Sequence, residues 1–341
     1  MRPSFFHHLH PPTIPAPQAR WRYTLGAGGL AVFLCLVLIV SGAVEMFYYI
    51  PAPEHAALSV QTIAYLVPYG GFVRNLHYWA AQLLIVVSLV HLLRVVFTGA
   101  YARPRRFNYL LGLCLLVLCL FLDFTGYVLR WDEGIRWALV AGTNLLRSIP
   151  LAGKILYGVL VGGSQPGPAT LVRFYAWHIF GLSLPLVLVG AWHIFRVRRD
   201  GGIAAPPPEM RPDHRRITRA ELVRREILAA ILGGVVLVLL STFIPAPIAP
   251  AIREGVVTSS DGRAPWFFLW VQQLLRLSNP FFWGVVVPLG VLIWLAILPY
   301  GLPNARSKEL GGWFPAGNLL AQLSVIILTT AILGLTLLAL R

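Results

Sequence analysis

Seven apolar runs dominate the sequence, at 27–49, 77–98, 107–129, 174–196, 226–245, 280–300 and 318–340. A helix that crosses the roughly 30 Å hydrocarbon core of a bilayer needs about 20 residues, so each run is long enough to span a membrane. Of the 341 residues, 57% are hydrophobic and only 12% are charged, against roughly 25% charged in a soluble domain. We therefore predict an all-α integral membrane protein with seven spans.

The distribution of basic residues predicts how these spans are oriented. Lys and Arg number 28 against 13 Asp and Glu, which gives a net charge of +15. Most of the basic residues lie on one side of the predicted spans: in the tail from Arg2, at 94–106, at 196–225 and at 306–308. The positive-inside rule therefore predicts that the N-terminus is cytoplasmic and that the C-terminus lies on the outer side. The predicted location of the protein is the cell inner membrane.

Two long loops organise the chain. The Pro-rich polar segment 200–218 predicts a cytoplasmic linker between a four-span part, 25–199, and a three-span part, 219–341, after a cytoplasmic N-terminal tail, 1–24. The outer loop 130–172 contains short apolar stretches at 138–146 and 155–160, broken by Gly and Pro. This pattern predicts helices that lie along the outer membrane surface.

Four of the nine histidines lie in two predicted spans, where ionisable side chains are costly and therefore indicate function. His77 and His91 are fourteen residues apart in the second span, nearly four helical turns, so they share a face about 21 Å apart along the axis. His178 and His193 are fifteen apart in the fourth span, which runs in the opposite direction. This arrangement predicts two bis-histidine haems, an outer one on His77 and His178 and an inner one on His91 and His193.

Glycines in the first and third spans repeat the same interval. Gly28 and Gly42 are fourteen residues apart, as are Gly112 and Gly126. A missing Cβ lets a helix approach a haem closely within a four-helix bundle, so these glycines predict gaps at both haem levels. Ordinary helix packing by small residues would explain one such pair, but two pairs in register with two histidine pairs favour haem binding.

Arginines near the histidines complete the predicted cofactor site. Arg74, Arg94 and Arg173 each lie within one or two turns of a proposed ligand, where a guanidinium can pair with a haem propionate. Snorkelling of the side chain to the membrane interface is the alternative for each of them.

Several motifs together resemble a known family. They are Met46-Phe47-Tyr48-Tyr49, R-N-L-H-Y-W at 74–79, H-L-L-R-V at 91–95, T-G-Y-V-L-R-W-D-E at 125–133 and R-F-Y-A-W-H at 173–178. The chain resembles the cytochrome b subunit of quinol-oxidising cytochrome bc complexes and looks closest to the chloroplast-type bf form, with which it shares the fifteen-residue histidine step. Residues 206–341 look like the three-span subunit IV of bf complexes, fused here to the first half.

The resemblance implies a proton-translocating Q cycle in a homodimeric or larger complex. Quinol would be oxidised near the outer surface, one electron passing to a Rieske iron–sulfur protein and on to a c-type cytochrome. The other would cross through the outer and inner haems and reduce quinone. The resemblance also implies an outer quinol pocket lined by Thr125, Gly126, Tyr127, Trp131, Pro265, Trp266 and Phe267.

Two departures from the family pattern affect that pocket. The family has Pro-Glu-Trp-Tyr where this chain has Ala264-Pro265-Trp266-Phe267, so the expected proton-accepting carboxylate is replaced by Pro265, and Arg130 replaces a proline. Quinol oxidation requires a proton acceptor. Asp132, Glu133 and Asp123 are the candidates for this catalytic role. Alternatively, these acids pair with Arg130 or Arg136, and the outer site is altered or lost.

The resemblance to bf-type proteins also raises the question of a third, covalently bound haem. The position that carries its cysteine is Gly26 here, and Cys35 lies more than two turns further along. The three cysteines (Cys35, Cys114 and Cys119) all lie in apolar runs without a C-x-x-C-H motif. We therefore predict only non-covalent haem.

Two other classes of function are possible from the sequence. A di-haem subunit could anchor a different quinone-linked oxidoreductase, which the missing glutamate allows. A transporter with incidental histidines would be expected to show discontinuous helices and an inverted repeat, and we find neither in the sequence. Nucleic acid is not an expected partner.

Overall fold

The computed structural model of the protein describes residues 12–211, 213–252 and 262–341. Arg2 and the first eleven residues of the predicted tail lie outside the described residues, as does Pro212 of the predicted linker. Seven helical segments are long and apolar enough to cross a membrane: Ala27–Glu45, Gly70–Phe97, Arg106–Leu129, Pro168–Arg199, Arg219–Phe243, Phe282–Gly301 and Ala316–Ala339. The prediction of an all-α protein with seven spans is confirmed.

The α-helices of the described ranges have the following bounds. They are α1 (Ala27–Glu45), α2 (Ala56–Tyr65), α3 (Gly70–Phe97), α4 (Arg106–Leu129), α5 (Glu133–Arg147), α6 (Gly153–Val161), α7 (Pro168–Ala176), α8 (Ser183–Arg199), α9 (Arg219–Phe243), α10 (Leu269–Leu275), α11 (Val287–Gly301) and α12 (Leu319–Ala339). A single helical turn, Trp21–Thr24, precedes α1. Helices α5 and α6 cover the two apolar stretches of the outer loop, whereas α2 and α10 were not predicted from the sequence.

Several predicted span boundaries were wrong by up to seven residues. Helix α3 begins at Gly70 rather than 77, and the fourth spanning segment begins at Pro168 rather than 174. The helices extend past their apolar cores because the peptide hydrogen-bond ladder continues through polar residues such as Arg74 and Arg173. Helix α1 instead ends at Glu45, before Tyr49, where the chain enters a turn.

The first four spanning segments form a bundle. Helix α3 packs against α1 and α4, and α8 packs against α4. A buried cluster joins Leu34 of α1, Leu84 of α3 and Cys119 of α4 to Leu237 of α9. The fifth span therefore packs on the same core as the first three.

The fourth spanning segment contains a π-helical turn. Residues Trp177–Gly181 separate α7 from α8, and the Leu182 backbone N–H donates to the Trp177 carbonyl at 2.8 Å. Because a π turn closes an i→i+5 hydrogen bond, it holds one residue more than an α turn. The turn begins just before His178, so it offsets the extra residue in the fifteen-residue step to His193.

The N-terminal tail and the linker pair with each other through β1 (Thr13–Pro15) and β2 (Arg216–Thr218), which form a two-stranded antiparallel sheet with Ile14 opposite Ile217. Arg225 also donates to the Ala19 carbonyl at 3.2 Å. The tail and the linker therefore lie at the same end of the bundle, as an even number of intervening spans requires.

The last two spans pack on the first part of the chain. Leu295 and Leu298 of α11 and Val325 of α12 share a buried cluster with Leu113 and Leu116 of α4. The Pro-rich segment 200–218 thus joins two groups of spans that share a core, and the boundary between them remains a sequence-based prediction.

Asn318 provides a polar connection between the two parts. Its fully buried side chain donates to the Val96 carbonyl at 2.6 Å and accepts from the Tyr101 hydroxyl at 2.5 Å. Tyr101 lies in the loop between α3 and α4, and burial raises its pKa to about 12, so the phenol stays protonated and donates. Both hydrogen bonds cross from the first four spans to the seventh.

We expect Asn318→Leu to lower the midpoint of thermal unfolding of the detergent-solubilised protein. The substitution leaves the Val96 carbonyl and the Tyr101 hydroxyl without their partner, at about 1–3 kcal/mol for each buried group. Thr336→Val in α12 is the matched control, because the hydroxyl of Thr336 donates to the Ile332 carbonyl of its own helix and makes no other hydrogen bond within the described residues. Equal midpoints for the two variants would contradict this assignment.

Candidate functional site

The structure brings the rings of His77 and His178 close together inside the bundle. Their ring centroids are 6.3 Å apart, with the ring planes at 65°. Two imidazoles on opposite sides of one metal, each with its nitrogen about 2 Å from it, have ring centres about 6 Å apart. The spacing of this outer pair therefore fits a single iron between the two rings.

Hydrogen bonds at Nδ1 determine which nitrogen of each outer ring is free. His77 Nδ1 lies 2.9 Å from the Ser41 hydroxyl, and His178 Nδ1 lies 3.0 Å from the Thr125 hydroxyl and 3.1 Å from the Leu122 carbonyl. Both hydroxyls donate to carbonyls of their own helices, so they accept from the imidazoles. With Nδ1 protonated, Nε2 keeps its lone pair for a metal.

Each predicted glycine lies against one of the four histidines. A Cβ added to Gly42 would lie 3.0 Å from His77 Cε1, and one added to Gly126 would lie 2.8 Å from His178 Cε1. The corresponding distances are 3.6 Å from Gly28 to His91 and 3.3 Å from Gly112 to His193. The glycines therefore make room for the imidazole rings themselves, whereas the sequence analysis assigned this room to the haem faces and edges.

The inner histidines differ in their polar contacts. His193 Nδ1 lies 3.1 Å from the Asn108 carbonyl, which again leaves Nε2 free. His91 Nδ1 is buried and has no hydrogen-bond partner among the described residues. The contacts with Gly28 and Gly112 place both rings inside the four-helix bundle.

The three predicted arginines make different contacts. Arg74 donates to the carbonyls of Ala246 and Pro247 at 3.2 and 2.6 Å, and Arg173 donates to those of Gly158 and Val159 at 2.7 and 2.8 Å.

Arg94 is buried, donates through Nε to the Tyr23 carbonyl at 2.8 Å and stacks over the Tyr23 ring. Its Nη2 is buried without a partner among the described residues. Arg94 therefore fits an anionic group such as a propionate better than the other two do.

The residues of the predicted outer pocket lie on two parts of the chain. Tyr127 donates to the Gly134 carbonyl at 2.7 Å, and Trp131 is buried near the start of α5. Pro265 precedes a 3-10 turn, Trp266–Phe268, in which Phe267 is buried and Trp266 is 39% exposed. Thr125 instead directs its hydroxyl to His178, so its contact is with the predicted haem ligand.

Two of the candidate acids lie in ion pairs. Asp132 is only 2% exposed, contacts Arg130 at 2.7 Å and accepts from the Ala249 backbone N–H at 3.0 Å. Glu133 lies 3.5 Å from Arg136. Both contacts match the alternative in which these acids are paired.

Asp123, the third candidate acid, has a different environment. Its Oδ1 accepts a hydrogen bond from the Gln82 amide at 2.9 Å, and the Gln82 carbonyl accepts from the Trp266 indole at 2.7 Å. The sequence analysis missed Gln82, although a polar residue five positions after His77 in an apolar span was a signal. Asp123 is thus the candidate acid that is linked to the 264–267 segment.

No cluster of three or more His, Cys, Asp or Glu side chains suited to a bare metal ion occurs within 12–211, 213–252 and 262–341. The metal-binding geometry of the described residues is therefore pairwise. A pair of facing helices that each carry an imidazole, room for the imidazole rings and a buried arginine nitrogen without a partner among the described residues would fit a haem.

Comparisons with known proteins place the chain in a family. Residues 82–252 match the family described as cytochrome b (N-terminal)/b6/petB. Cytochrome b6 of Heliobacterium mobile is 39% identical over 189 residues, which are 55% of this chain and 88% of that protein. The menaquinol:cytochrome c reductase cytochrome b subunit of Geobacillus thermodenitrificans is 37% identical over 175 residues, 51% of this chain and 78% of that one.

A solved structure has the same fold over nearly the whole chain. The structure titled hyperthermophilic respiratory Complex III matches with a TM-score of 0.79 at 21% identity, covering 94% of this chain and 84% of that one. The fold and the paired histidines define a multi-pass membrane cytochrome. The chain belongs to the cytochrome b/b6 family, which binds haem b and quinone.

We expect Gly126→Ala to lower the haem content and the thermal stability of the purified protein. The new Cβ would lie 2.8 Å from His178 Cε1, so the imidazole must move, at a cost of about 1–3 kcal/mol. Gly190→Ala in α8 is the control, because its Cβ would be 3.9 Å from the nearest heavy atom outside its own helix, Leu115 Cδ2. Haem content, measured per protein by absorbance, should fall only for Gly126→Ala, and a similar loss in both would contradict the role of the His178 contact.

Proposed function

We propose that this protein carries electrons across the membrane through two non-covalent b-type haems, as the cytochrome b subunit of a Rieske–cytochrome b complex. His77 and His178 hold the outer haem, and His91 and His193 hold the inner one. The observation that carries the proposal is the outer pair, with centroids 6.3 Å apart and both Nδ1 atoms hydrogen-bonded. When bound, the haems supply reversible one-electron chemistry.

The protein residues orient and enclose these groups. Ser41, Thr125 and the Leu122 carbonyl hold the outer rings with Nε2 free, and the Asn108 carbonyl does so for His193. Gly28, Gly42, Gly112 and Gly126 admit the rings. Arg94 supplies a buried cation for a propionate. Arg74 and Arg173 are less suited to bind a propionate, because their guanidinium groups already donate to backbone carbonyls.

The substrate of the complex is a quinol, oxidised near the outer ends of α3 and α4. Tyr127, Trp131, Pro265, Trp266 and Phe267 line the outer pocket, with Gly126 and Thr125 between it and His178. One electron passes to a Rieske iron–sulfur protein and on to a c-type cytochrome. The haems that the two histidine pairs would hold would supply the route for the other electron to a quinone at the inner surface. Proton release and proton uptake would then lie on opposite sides of the membrane. Menaquinol is the first donor to test, because a relative named a menaquinol:cytochrome c reductase subunit is 37% identical.

The orientation follows from the basic residues. The tail and the linker, which pair through β1 and β2, lie on the cytoplasmic side of the cell inner membrane, and α5 and α6 lie on the outer surface. Residues 25–199 form the di-haem part and 219–341 the subunit IV-like part. The complex is a homodimer or a larger assembly.

A second candidate function follows from the ion pairs of Asp132 and Glu133. With these acids paired and Pro265 in place of the glutamate, the chain could act as a di-haem anchor for another quinone-linked oxidoreductase. The two functions differ in their partners. The first function is supported if the purified complex contains an iron–sulfur subunit and quinol reduces its haem. The second is supported if a haem-loaded complex contains no iron–sulfur subunit.

We expect His178→Leu and His193→Leu each to lower the haem content of the purified complex from about two to about one per chain, because each substitution removes one of two axial ligands. The optical spectrum and the haem-to-protein ratio measure this. His55→Leu is the control, because His55 is exposed in the loop before α2. An unchanged ratio in either variant would exclude that histidine as a ligand.

We further expect all haem to leave the chain on denaturation. Gly26 stands where bf-type relatives carry the cysteine, and Cys35 lies within the bundle cluster of α1, so neither offers an accessible thiol near the inner end. A haem stain of the denaturing gel should be negative at the position of this chain, and a positive band would show covalent attachment.

A further inference from the structure

A hydrogen-bonded chain of three side chains connects the interior of α4 to the 264–267 segment. The Trp266 indole N–H donates to the Gln82 carbonyl oxygen at 2.7 Å, and the Gln82 amide N–H donates to Asp123 Oδ1 at 2.9 Å. The three residues come from a loop turn, α3 and α4. Gln82 is buried, and Asp123 is half-buried.

Asp123 lies at the depth of the outer histidine pair. The carbonyl of its neighbour Leu122 is 3.1 Å from His178 Nδ1, and Thr125, two residues further on, bonds the same nitrogen. The carboxyl group is therefore on the spanning helix that supports His178, one turn below the pocket residue Tyr127.

Among the described residues, no cationic side chain pairs with the carboxyl group of Asp123. No ion pair between described residues includes it, and its described hydrogen bond is the one from the neutral Gln82 amide through Oδ1. A carboxyl group within a span is costly and is retained where it has a function, commonly in proton transfer. Oδ2 remains available to accept a proton.

The other acids near the outer end are less suited to that task. Asp132 is held by the ion pair with Arg130 and by the Ala249 backbone N–H, so both of its carboxylate oxygens already have partners. Glu133 is paired with Arg136. Glu45 lies on α1 within electrostatic range of Arg74, and no hydrogen bond of the described residues connects it to the 264–267 segment.

We propose that Asp123 accepts a proton from quinol bound against Trp266, with Gln82 as the positioning residue that holds the carboxylate and the indole together. This inference rests on the proposed function, because it requires quinol oxidation at the outer pocket. It assigns the task of the missing glutamate, whose position is Pro265, to a carboxylate on a different helix.

Quinol loses two electrons and two protons and becomes quinone. The iron–sulfur partner accepts one electron, and the haem that His77 and His178 would hold would serve as the one-electron acceptor for the other. One proton converts the Asp123 carboxylate to the carboxylic acid, and the other leaves on the side of the iron–sulfur partner. Asp123 then releases its proton toward the outer surface and returns to the carboxylate.

The titratable groups around Asp123 are few. Tyr78 of α3 interacts with it electrostatically and also with Arg130 and Arg74, which lie toward the outer end. Cys119 is one turn earlier on α4. These neighbours remain in place in the variants below, so a changed pH profile can be assigned to Asp123.

The test measures quinol oxidation by the full complex in native membranes, with menaquinol and ubiquinol analogues as substrates and haem reduction as the readout. We expect Asp123→Asn to lower kcat about 10- to 100-fold, in the lower range of what a positioned acid or base contributes, with haem content unchanged. The wild-type rate should fall at low pH as the carboxylate becomes protonated, and this fall should disappear in the variant. Asp123→Glu should restore part of the rate and the pH dependence.

Two further variants separate proton transfer from structure. Gln82→Leu breaks the connection to Trp266 and should slow oxidation while leaving the haem spectrum intact. Glu54→Gln changes an exposed carboxyl group in the loop before α2 and should leave the rate and the pH profile unchanged.

The outcomes distinguish this inference from the proposed function. A wild-type complex that does not oxidise either quinol overturns both. A wild-type complex that does, with Asp123→Asn equal to it in rate and pH profile, overturns the role of Asp123 alone. A slow Asp123→Asn complex whose pH profile keeps the wild-type shape also overturns it, because a purely structural role would have that result.

Discussion

The architecture depends on burying four imidazole rings between helices that would otherwise pack too closely for them. Gly42 and Gly126 leave gaps in which a Cβ would come within 3.0 and 2.8 Å of the rings of His77 and His178. The rings also need partners for Nδ1, because an unpaired polar group inside the membrane is costly. Ser41, Thr125, Leu122 and Asn108 supply these partners for three of the four rings, from the helices that carry the glycines. The Nδ1 atom of the fourth, His91, has no partner among the described residues. Helices α1 and α4 therefore provide both the space and the hydrogen bonds, and α3 and the fourth spanning segment provide the histidines.

The same constraint explains the irregular fourth spanning segment. Fifteen residues exceed four α-helical turns, so a regular helix would rotate His193 away from the face of His178. The π turn at Trp177–Gly181 takes up the extra residue next to His178. A local departure from α geometry thus keeps both histidines on one face, in keeping with the frequent occurrence of π turns at functional sites.

Charge is handled differently at the two ends of the bundle. At the end where the tail and linker pair, Arg94 is buried, and its Nη2 has no partner among the described residues. At the opposite end, Arg130 and Asp132 neutralise each other, and Arg74 bonds the carbonyls of the segment after α9. Asp123 takes part in no ion pair of the described residues. Its connection to Trp266 through Gln82 joins the first four spans to the segment that follows the fifth.

Much of the fold followed from local patterns. Seven apolar runs were sufficient to predict the seven spans, because the thickness of a bilayer sets the length of a helix. The fourteen-residue spacings of histidines and glycines predicted that both kinds of residue lie at the same two depths in the membrane, because the rise and the turn per residue of an α-helix are constant. The surface helices α5 and α6 were also visible as short apolar stretches. The helix ends were not, since hydrogen bonding continues through polar residues such as Arg74.

Only the tertiary structure decided which partner each of these residues has. The sequence placed Gly126 and His178 at one level, but it could not distinguish contact with the imidazole from contact with the cofactor, because that depends on the distance between two helices. Thr125 was expected in the quinol pocket and instead bonds His178. Asp132, Glu133 and Asp123 were equivalent as sequence candidates. Packing paired Asp132 and Glu133 with arginines. It also placed Gln82 between Asp123 and Trp266, which are 41 and 184 positions from Gln82 in the chain. Contacts between residues so far apart in the chain arise from helix packing, which local sequence patterns do not encode.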